Sequence, residues 1–530
     1  PYGLPMHWSR LVDAGIAGLI LTFRVFTNAN TAETWALYVW PLLPLLPVLL
    51  ALAHIAHRLT GRTGALFALA LGASCVAAMT PFKPGNIDHH NVQLALGLSF
   101  AAFLIDIDRS RWAAAFAALT AALSLAVGLE TLPYVLMALL ALAVWWTLDR
   151  RVSGNVAVFG ATFALANVLL FAGATASIYR FSAACDTFSG FYAVLGALTG
   201  GGIAVMSSAP PFNTPFRRAA GATTLCVLVL LAAALIGPAC LHGPYAAVDP
   251  RLGPIWLSGV AEDQSPFTMG LMAPGDFVGG YLYCVLAAAA CIAAIFLVGT
   301  EHRAAMTVLC AIALMAFAIA SLEVRGIAFA LLFATPGVVV VAIRALERIR
   351  PSRTASALAT FAAVLVASNA SFAFVGAQIQ KSLPAAHQYT PVQQKWMQAC
   401  TAPKAFSELA ALPQGRVAAF VDMGPMILAY THHATIAGPY HRNAAGILDS
   451  YAIFAGSAAE QRATLKRRDM DYVAICSPEP DYIEWGAMAR PDSLLRTDAK
   501  GLIEPWLEPV ITRRKGGEVR IFRIRHDRLG

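Results

Sequence analysis

Of the 530 residues, 58% are hydrophobic and 13% charged, against roughly 45–50% and about 25% in a soluble domain. An ordinary soluble enzyme is excluded, and at about 20 apolar residues per crossing the blocks before residue 380 have room for a dozen spans. The net charge of +8 raises nucleic acid as a partner, but in a polytopic chain a basic excess belongs to loops retained on the cytoplasmic side, so no nucleic acid is expected.

The chain opens on Pro1, and Tyr2 to Trp8 read as an amphiphilic loop rather than a signal peptide, with the true N-terminus expected upstream. Residues before 36 place His7, Trp8, Arg10, Asp13 and Arg24 among apolar neighbours; they are too polar to cross and are expected to lie along the interface. Twelve apolar segments follow, near 36–56, 63–81, 90–105, 112–129, 131–148, 156–177, 187–207, 219–237, 276–299, 303–321, 325–345 and 354–377. Alternate loops carry Arg58, Arg62, Arg109, Arg111, Arg150, Arg151, Arg217, Arg218, Arg303, Arg344, Arg348, Arg350 and Arg353, whereas the others hold only Lys83, Arg180, Arg251 and Arg325. The positive-inside rule then turns the sparse loops, and everything after residue 378, to the periplasm or cell exterior. Residues 1–378 are thus read as a membrane domain and 379–530 as an outer soluble α/β domain, with β-rich runs at 417–421, 434–436, 472–475 and 519–524. Nine cysteines contain no Cys-x-x-Cys pair, which disfavours a structural zinc. Cys185, Cys240, Cys400 and Cys476 fall on the outer side, where disulfides are permitted, but their pairing stays open.

Charged groups near membrane depth are costly and default to function, which singles out four clusters on the outer ends. Asp88-His89-His90 enters the third segment. A carboxylate and an imidazole two residues apart can share a divalent ion at an irregular helix entrance, although a helix-capping Asp with two interfacial histidines has the same pattern. Glu262-Asp263 sits in the long outer loop 238–275, either as a site or as a solvated turn. Glu323-Val324-Arg325 presents an arginine for a lipid phosphate or a local ion pair. Glu130, beside Pro133, reads as a helix-end carboxylate and is left out of the candidate set. In the outer domain, Thr431 to His433 and Pro439 to Asn443 offer imidazole and guanidinium donors for a glycan or phosphorylated headgroup, or form a surface loop.

Taken together, these motifs resemble the catalytic subunit of single-subunit archaeal and bacterial oligosaccharyltransferases, within the C-type superfamily of membrane glycosyltransferases. Asp88-His89-His90 is similar to the family's second acidic motif, in which the Asp and second His bind metal. Val260-Ala261-Glu262 resembles the end of the Thr-Ile/Val-x-Glu motif, with Gly259 in place of the Thr. Arg325 is placed like an arginine that contacts the donor pyrophosphate. Phe420 to Gly424 stands where the family has Trp-Trp-Asp-Tyr-Gly, and Asp422 and Gly424 match. The resemblance implies thirteen spans in the full protein, about twelve of them here, with one span and the first catalytic Asp expected upstream of Pro1. It also implies a divalent ion (Mg or Mn) held by Asp88, His90 and Glu262, with Asp88 and Glu262 as catalytic carboxylates. His89, Arg325, Asp422, His441 and Arg442 are the candidate substrate contacts.

The expected activity is transfer of a sugar or oligosaccharide from a polyprenyl-(pyro)phosphate donor to an acceptor outside a bacterial or archaeal cytoplasmic membrane. Loss of the hydrogen-bonding aromatics at Phe420, Val421 and Met423 should leave an apolar surface and favours a lipid or glycan acceptor; the alternative is a protein oligosaccharyltransferase. A membrane transporter is the reading from a different class, and it predicts charges near helix centres rather than at one set of helix ends.

Overall fold

The computed structural model describes all residues except 1–2, 4–5, 7, 247, 350–352, 384–398, 478–479, 511–518 and 530. Arg350 and most of the opening loop, Tyr2 and His7 included, therefore lie outside the described residues. The chain divides into two compact units: residues 7–247 with 262–382, and residues 383–530 with 248–261 and 1–6.

The larger unit is helical. α1 (Arg10–Arg24) has no buried residue and is followed by α2 (Ala29–Val39). Next come α3 (Leu45–Ala73), α4 (His90–Leu104), α5 (Arg111–Val127), α6 (Leu132–Leu148), α7 (Ser153–Ala174), α8 (Gly190–Ser208) and α9 (Pro215–Ile236). The unit ends with α10 (Tyr283–Leu297), α11 (Arg303–Leu322), α12 (Ile327–Ile349), α13 (Arg353–Ala367) and α14 (Asn369–Ser382). Among the described residues eight helical runs are long and apolar enough to cross a membrane, and α4 and α5 are shorter apolar helices.

One of the eight runs, Ala29–Ala73, is not a single rod. Gly61 has φ 78° and ψ −166° inside α3, a conformation open to glycine. A Cβ on Gly72 would stand 2.6 Å from Leu52, although 20 residues of straight helix would separate them by about 30 Å. The chain therefore reverses at Gly61 into a tight hairpin, and the two apolar segments read on either side of it are its arms. Close helix approach recurs at α7 and α8. There a Cβ on Gly160 would meet Gly200 O, and one on Gly200 would meet Gly160 O, each at 2.6 Å. Small residues of this kind allow the backbone contact on which helix association in lipid depends. α12 is the innermost run, 83% of its apolar window being buried.

A polar cluster ties three loops that the arginine pattern assigns to one side. Arg58 is buried and bonds Asp106 Oδ1 (3.0 Å), Asp108 Oδ2 (3.3 Å) and His302 Nδ1 (2.6 Å), while His54 Nε2 meets Asp106 Oδ2 at 2.7 Å. Burial raises the Asp106 carboxyl, but His54 and Arg58 more than offset it and hold the group below its usual range.

The smaller unit is an α/β layer whose sheet has the order β2-β1-β3-β5-β4. β1 (Arg416–Ala418) runs parallel to β2 (Ala434–Thr435) and to β3 (Tyr472–Cys476). β5 (Val519–Ile524) is antiparallel to β3 and to β4 (Leu507–Pro509). All five β3 residues are buried, the apolar run expected of a strand covered on both faces. Trp485, Trp506, Phe406, Phe420 and Phe454 fill the core. Disulfides join Cys185 to Cys240 in the helical unit and Cys400 to Cys476 in the sheet unit. These are the four cysteines placed outside from sequence; the other five are free thiols.

Candidate metal centre

The site begins with a turn. Gly85 has φ 89°, and the Asn86 side chain accepts the Asp88 N–H at 3.0 Å, an Asx-type bond that keeps the chain extended until α4 starts. Asp88 then faces both histidines: Oδ1 lies 2.7 Å from His89 Nδ1 and Oδ2 lies 2.5 Å from His90 Nδ1. The imidazole centroids are 4.4 Å apart. Among the described residues these three form the one group whose ligand atoms lie within 4.8 Å of one another.

Behind them stands Glu130, which was read from sequence as a helix-end carboxylate. Its Oε1 is 3.4 Å from His89 Nε2, and its Oε2 accepts Gln93 Nε2 at 2.7 Å. A Cβ on Gly128 would fall 2.3 Å from Gln93 Nε2 and 2.4 Å from Glu130 Oε2, so a side chain there would push the ends of both chains aside and disturb their hydrogen bond. His89 is buried with a carboxylate at each ring nitrogen. Burial lowers its pKa, but Asp88 and Glu130 outweigh that and push it up to about 10. Burial likewise raises Asp88, and the two histidines bring it well below the carboxylate range.

A divalent ion fits the residues present. His90 Nε2 is buried without a hydrogen-bond partner, which is costly for an imidazole unless a ligand takes it up. The carboxylate and imidazole donors are those that bind Mn, Zn or Mg. Glu130 at the far nitrogen of His89 braces the ring that in turn contacts Asp88, and hydrogen-bond partners of this kind hold a ligating carboxylate in place.

The other candidates fall elsewhere. Glu262 is exposed on the turn Ala261–Asp263, outside the Asp88 group. Arg325 is gripped by Glu323 Oε2 (2.6 Å) and Asp263 Oδ1 (3.0 Å), with Tyr245 Oη at 3.4 Å. The Val324 N–H bonds Gln264 O at 2.9 Å and ties that loop to the turn before α12. The local Glu323–Arg325 pair is thus present, and Asp263 extends it across the loop.

In the sheet unit, Asp422 begins α15 (Met423–Tyr430) and is half-buried. The apolar surface expected here is absent: Phe420, Val421 and Met423 are 0%, 0% and 1% exposed. Phe420 stacks on Phe454 at 4.3 Å and meets Trp485 edge-on at 5.9 Å. Without a polar atom to present, these side chains belong to the core. The Val421 N–H donates to the buried Asp481 at 3.0 Å, and Asp481 opens α16 (Pro480–Met488). Gly424 is required because a Cβ there would stand 2.0 Å from Ala437 O. His441 and Arg442 lie on a half-buried turn, His441–Asn443.

Comparison of the structure with solved proteins returns several matches. The archaeal oligosaccharyltransferase AglB from Archaeoglobus fulgidus, in complex with an inhibitory peptide and a dolichol-phosphate, matches with TM-score 0.64 at 13% identity, over 98% of this chain and 66% of that one. The chain has the fold of an archaeal oligosaccharyltransferase. The same enzyme tethered to an acceptor peptide containing the NVT sequon matches at 0.63 and 13% identity, over 94% and 64% of the two chains. Its complex with Zn and sulfate matches at 0.59 and 14% identity, over 94% and 63%. The present chain therefore spans slightly less than two thirds of the length of these neighbours. No family model and no curated protein matches the sequence. The oligosaccharyltransferase fold and the apolar helices together make this a multi-pass membrane protein.

Proposed function

We propose that the protein is a metal-assisted oligosaccharyltransferase, which moves a glycan from a polyprenyl-linked phosphate donor to an acceptor on the outer side of the membrane. The observation that carries this reading is the Asp88-His89-His90 group at a helix entrance of an oligosaccharyltransferase fold, with a buried imidazole nitrogen still to be liganded. Asp88 and His90 would hold the ion, with Glu262 as a further candidate ligand. When bound, the cation would stabilise negative charge gathering on the leaving phosphate. Arg325, oriented by Glu323 and Asp263, would bind phosphate oxygens through its guanidinium fork. Glu130 and Gln93 would keep His89, and through it Asp88, in one orientation.

A polypeptide is the favoured acceptor, because the AglB structures were obtained with an inhibitory peptide and with a sequon peptide. A lipid or glycan acceptor is the second reading, favoured by the burial of Phe420 and Val421 where the family has two tryptophans. Full-length protein in nanodiscs, given a polyprenyl-linked oligosaccharide and a sequon peptide, should glycosylate the peptide in the presence of Mn. Chelation, Asp88→Ala, or replacement of the peptide's Ser/Thr by Ala should each abolish transfer. Transfer to a lipid or glycan with the peptide untouched would establish the second reading. Full activity of Asp88→Ala would refute the metal-assisted mechanism.

A further inference from the structure

The sheet unit contains a cavity of about 650 Å³, within the size range of small-molecule sites, lined by β2, by Arg416 of β1 and by Arg468 and Met470 just before β3. Arg416, Arg442 and Arg468 line it, together with Tyr440 and Asn443, and no Asp or Glu is among its described lining residues. Arg416 is positioned by Asp469 (3.0 Å) and Arg468 by Asp449 (2.5 Å), so their orientation is set before any ligand arrives. β2 is an edge strand whose Ala434 and Ile436 N–H groups both point to β1. Alternation along a strand therefore turns the backbone groups of Thr435, which lines the cavity, away from β1 and leaves them on the open edge of the sheet. The turn carrying Arg442 is braced by Asn443, whose amide donates to Ile436 O at 3.5 Å. The cavity also shares a wall with the Asp422 segment: Ala437 and Gly438 line it and are the atoms that exclude a Cβ at Gly424.

We propose that this cavity is a binding site for an acidic glycan, that is, a saccharide bearing a carboxylate or phosphate. Planar guanidinium forks match those anions. The Tyr440 and Asn443 side chains and the strand edge supply the neutral donors and acceptors that sugar hydroxyls require, which a site for a bare anion would not need. This inference concerns binding in the sheet unit and goes beyond the reaction proposed above; its test requires no catalysis.

The full chain in neutral-lipid nanodiscs is titrated by calorimetry with trigalacturonate, with its neutral methyl ester and with a hexose 6-phosphate. At least one acidic saccharide should bind, with the ester at least tenfold weaker and affinity falling as salt rises. The acid that binds identifies the anion. Arg442→Gln should weaken binding at least tenfold. Ala445→Trp, which fills the cavity from an exposed position and leaves all three arginines intact, should do the same. Absence of binding by both acids, equal binding of the ester, or unchanged affinity in both variants would overturn the proposal.

Discussion

Asp481 is a buried carboxyl that the fold both uses and strains, and its replacement by Asn separates the two effects. The side chain accepts the Val421 N–H, which the Asn carbonyl can also do. Burial raises its pKa most, Asp422 adds to the rise, the Val421 bond opposes it and Glu484 adds again; the outcome is about 7 against an ordinary 3.8. That interval corresponds to about 4 kcal/mol at about 1.4 kcal/mol per unit. A raised carboxyl binds its proton more tightly in the folded state, so its contribution favours folding at acid pH and is lost as pH rises toward 7. Between pH 5 and 8 the wild-type unit should lose about 2–3 kcal/mol relative to Asp481→Asn. The assay is hydrogen–deuterium exchange of β3 and β5 in the full protein, corrected for intrinsic rates, at the two pH values. A wild-type-to-variant difference that changes by less than about 0.5 kcal/mol over this range would refute the reasoning, because Asp481 would then be neither desolvated nor in the field of Asp422.

Calorimetric titration with Mn should show Asp88→Ala and His90→Ala without measurable binding, and Glu130→Gln weakened about 10- to 100-fold through loss of the outer carboxylate at His89; undiminished affinity in Glu130→Gln would remove its orienting role. Gly424→Ala should destabilise the sheet unit by about 1–3 kcal/mol, since its Cβ cannot avoid Ala437 O, read as faster exchange in β1 and β2. In a Cys226→Ser background, which removes the exposed free thiol, cysteines at Arg251 and Lys500 should react with a membrane-impermeant reagent from outside and one at Arg150 should not. Labelling of Arg150 alone would invert the orientation drawn from the arginine loops.

Periodicity and charge were sufficient for much of the architecture. The apolar segments correspond to helices and the β-rich runs after residue 416 to strands, because each of these follows from local composition, whereas the pairing of the four cysteines into two disulfides was left to the tertiary structure. The helical reversal at Gly61 was marked by the arginines on either side of it, yet its sharpness required the positive φ that glycine permits. Asp88-His89-His90 was legible as a candidate metal motif because its donor side chains adjoin in sequence. Glu130 and Gln93 were not, since their role depends on bringing α4 and the turn before α6 together, and that contact carries no sequence spacing of its own. At Phe420 to Met423 the loss of polar aromatics was visible, but whether the remaining side chains formed a surface or a core was set by Phe454 and Trp485, which pack from distant parts of the chain. The grouping of Arg416, Arg442 and Arg468 around one cavity was likewise decided by the parallel pairing of β1 with β2 on one side and β3 on the other, which brings together residues up to 52 positions apart in the chain.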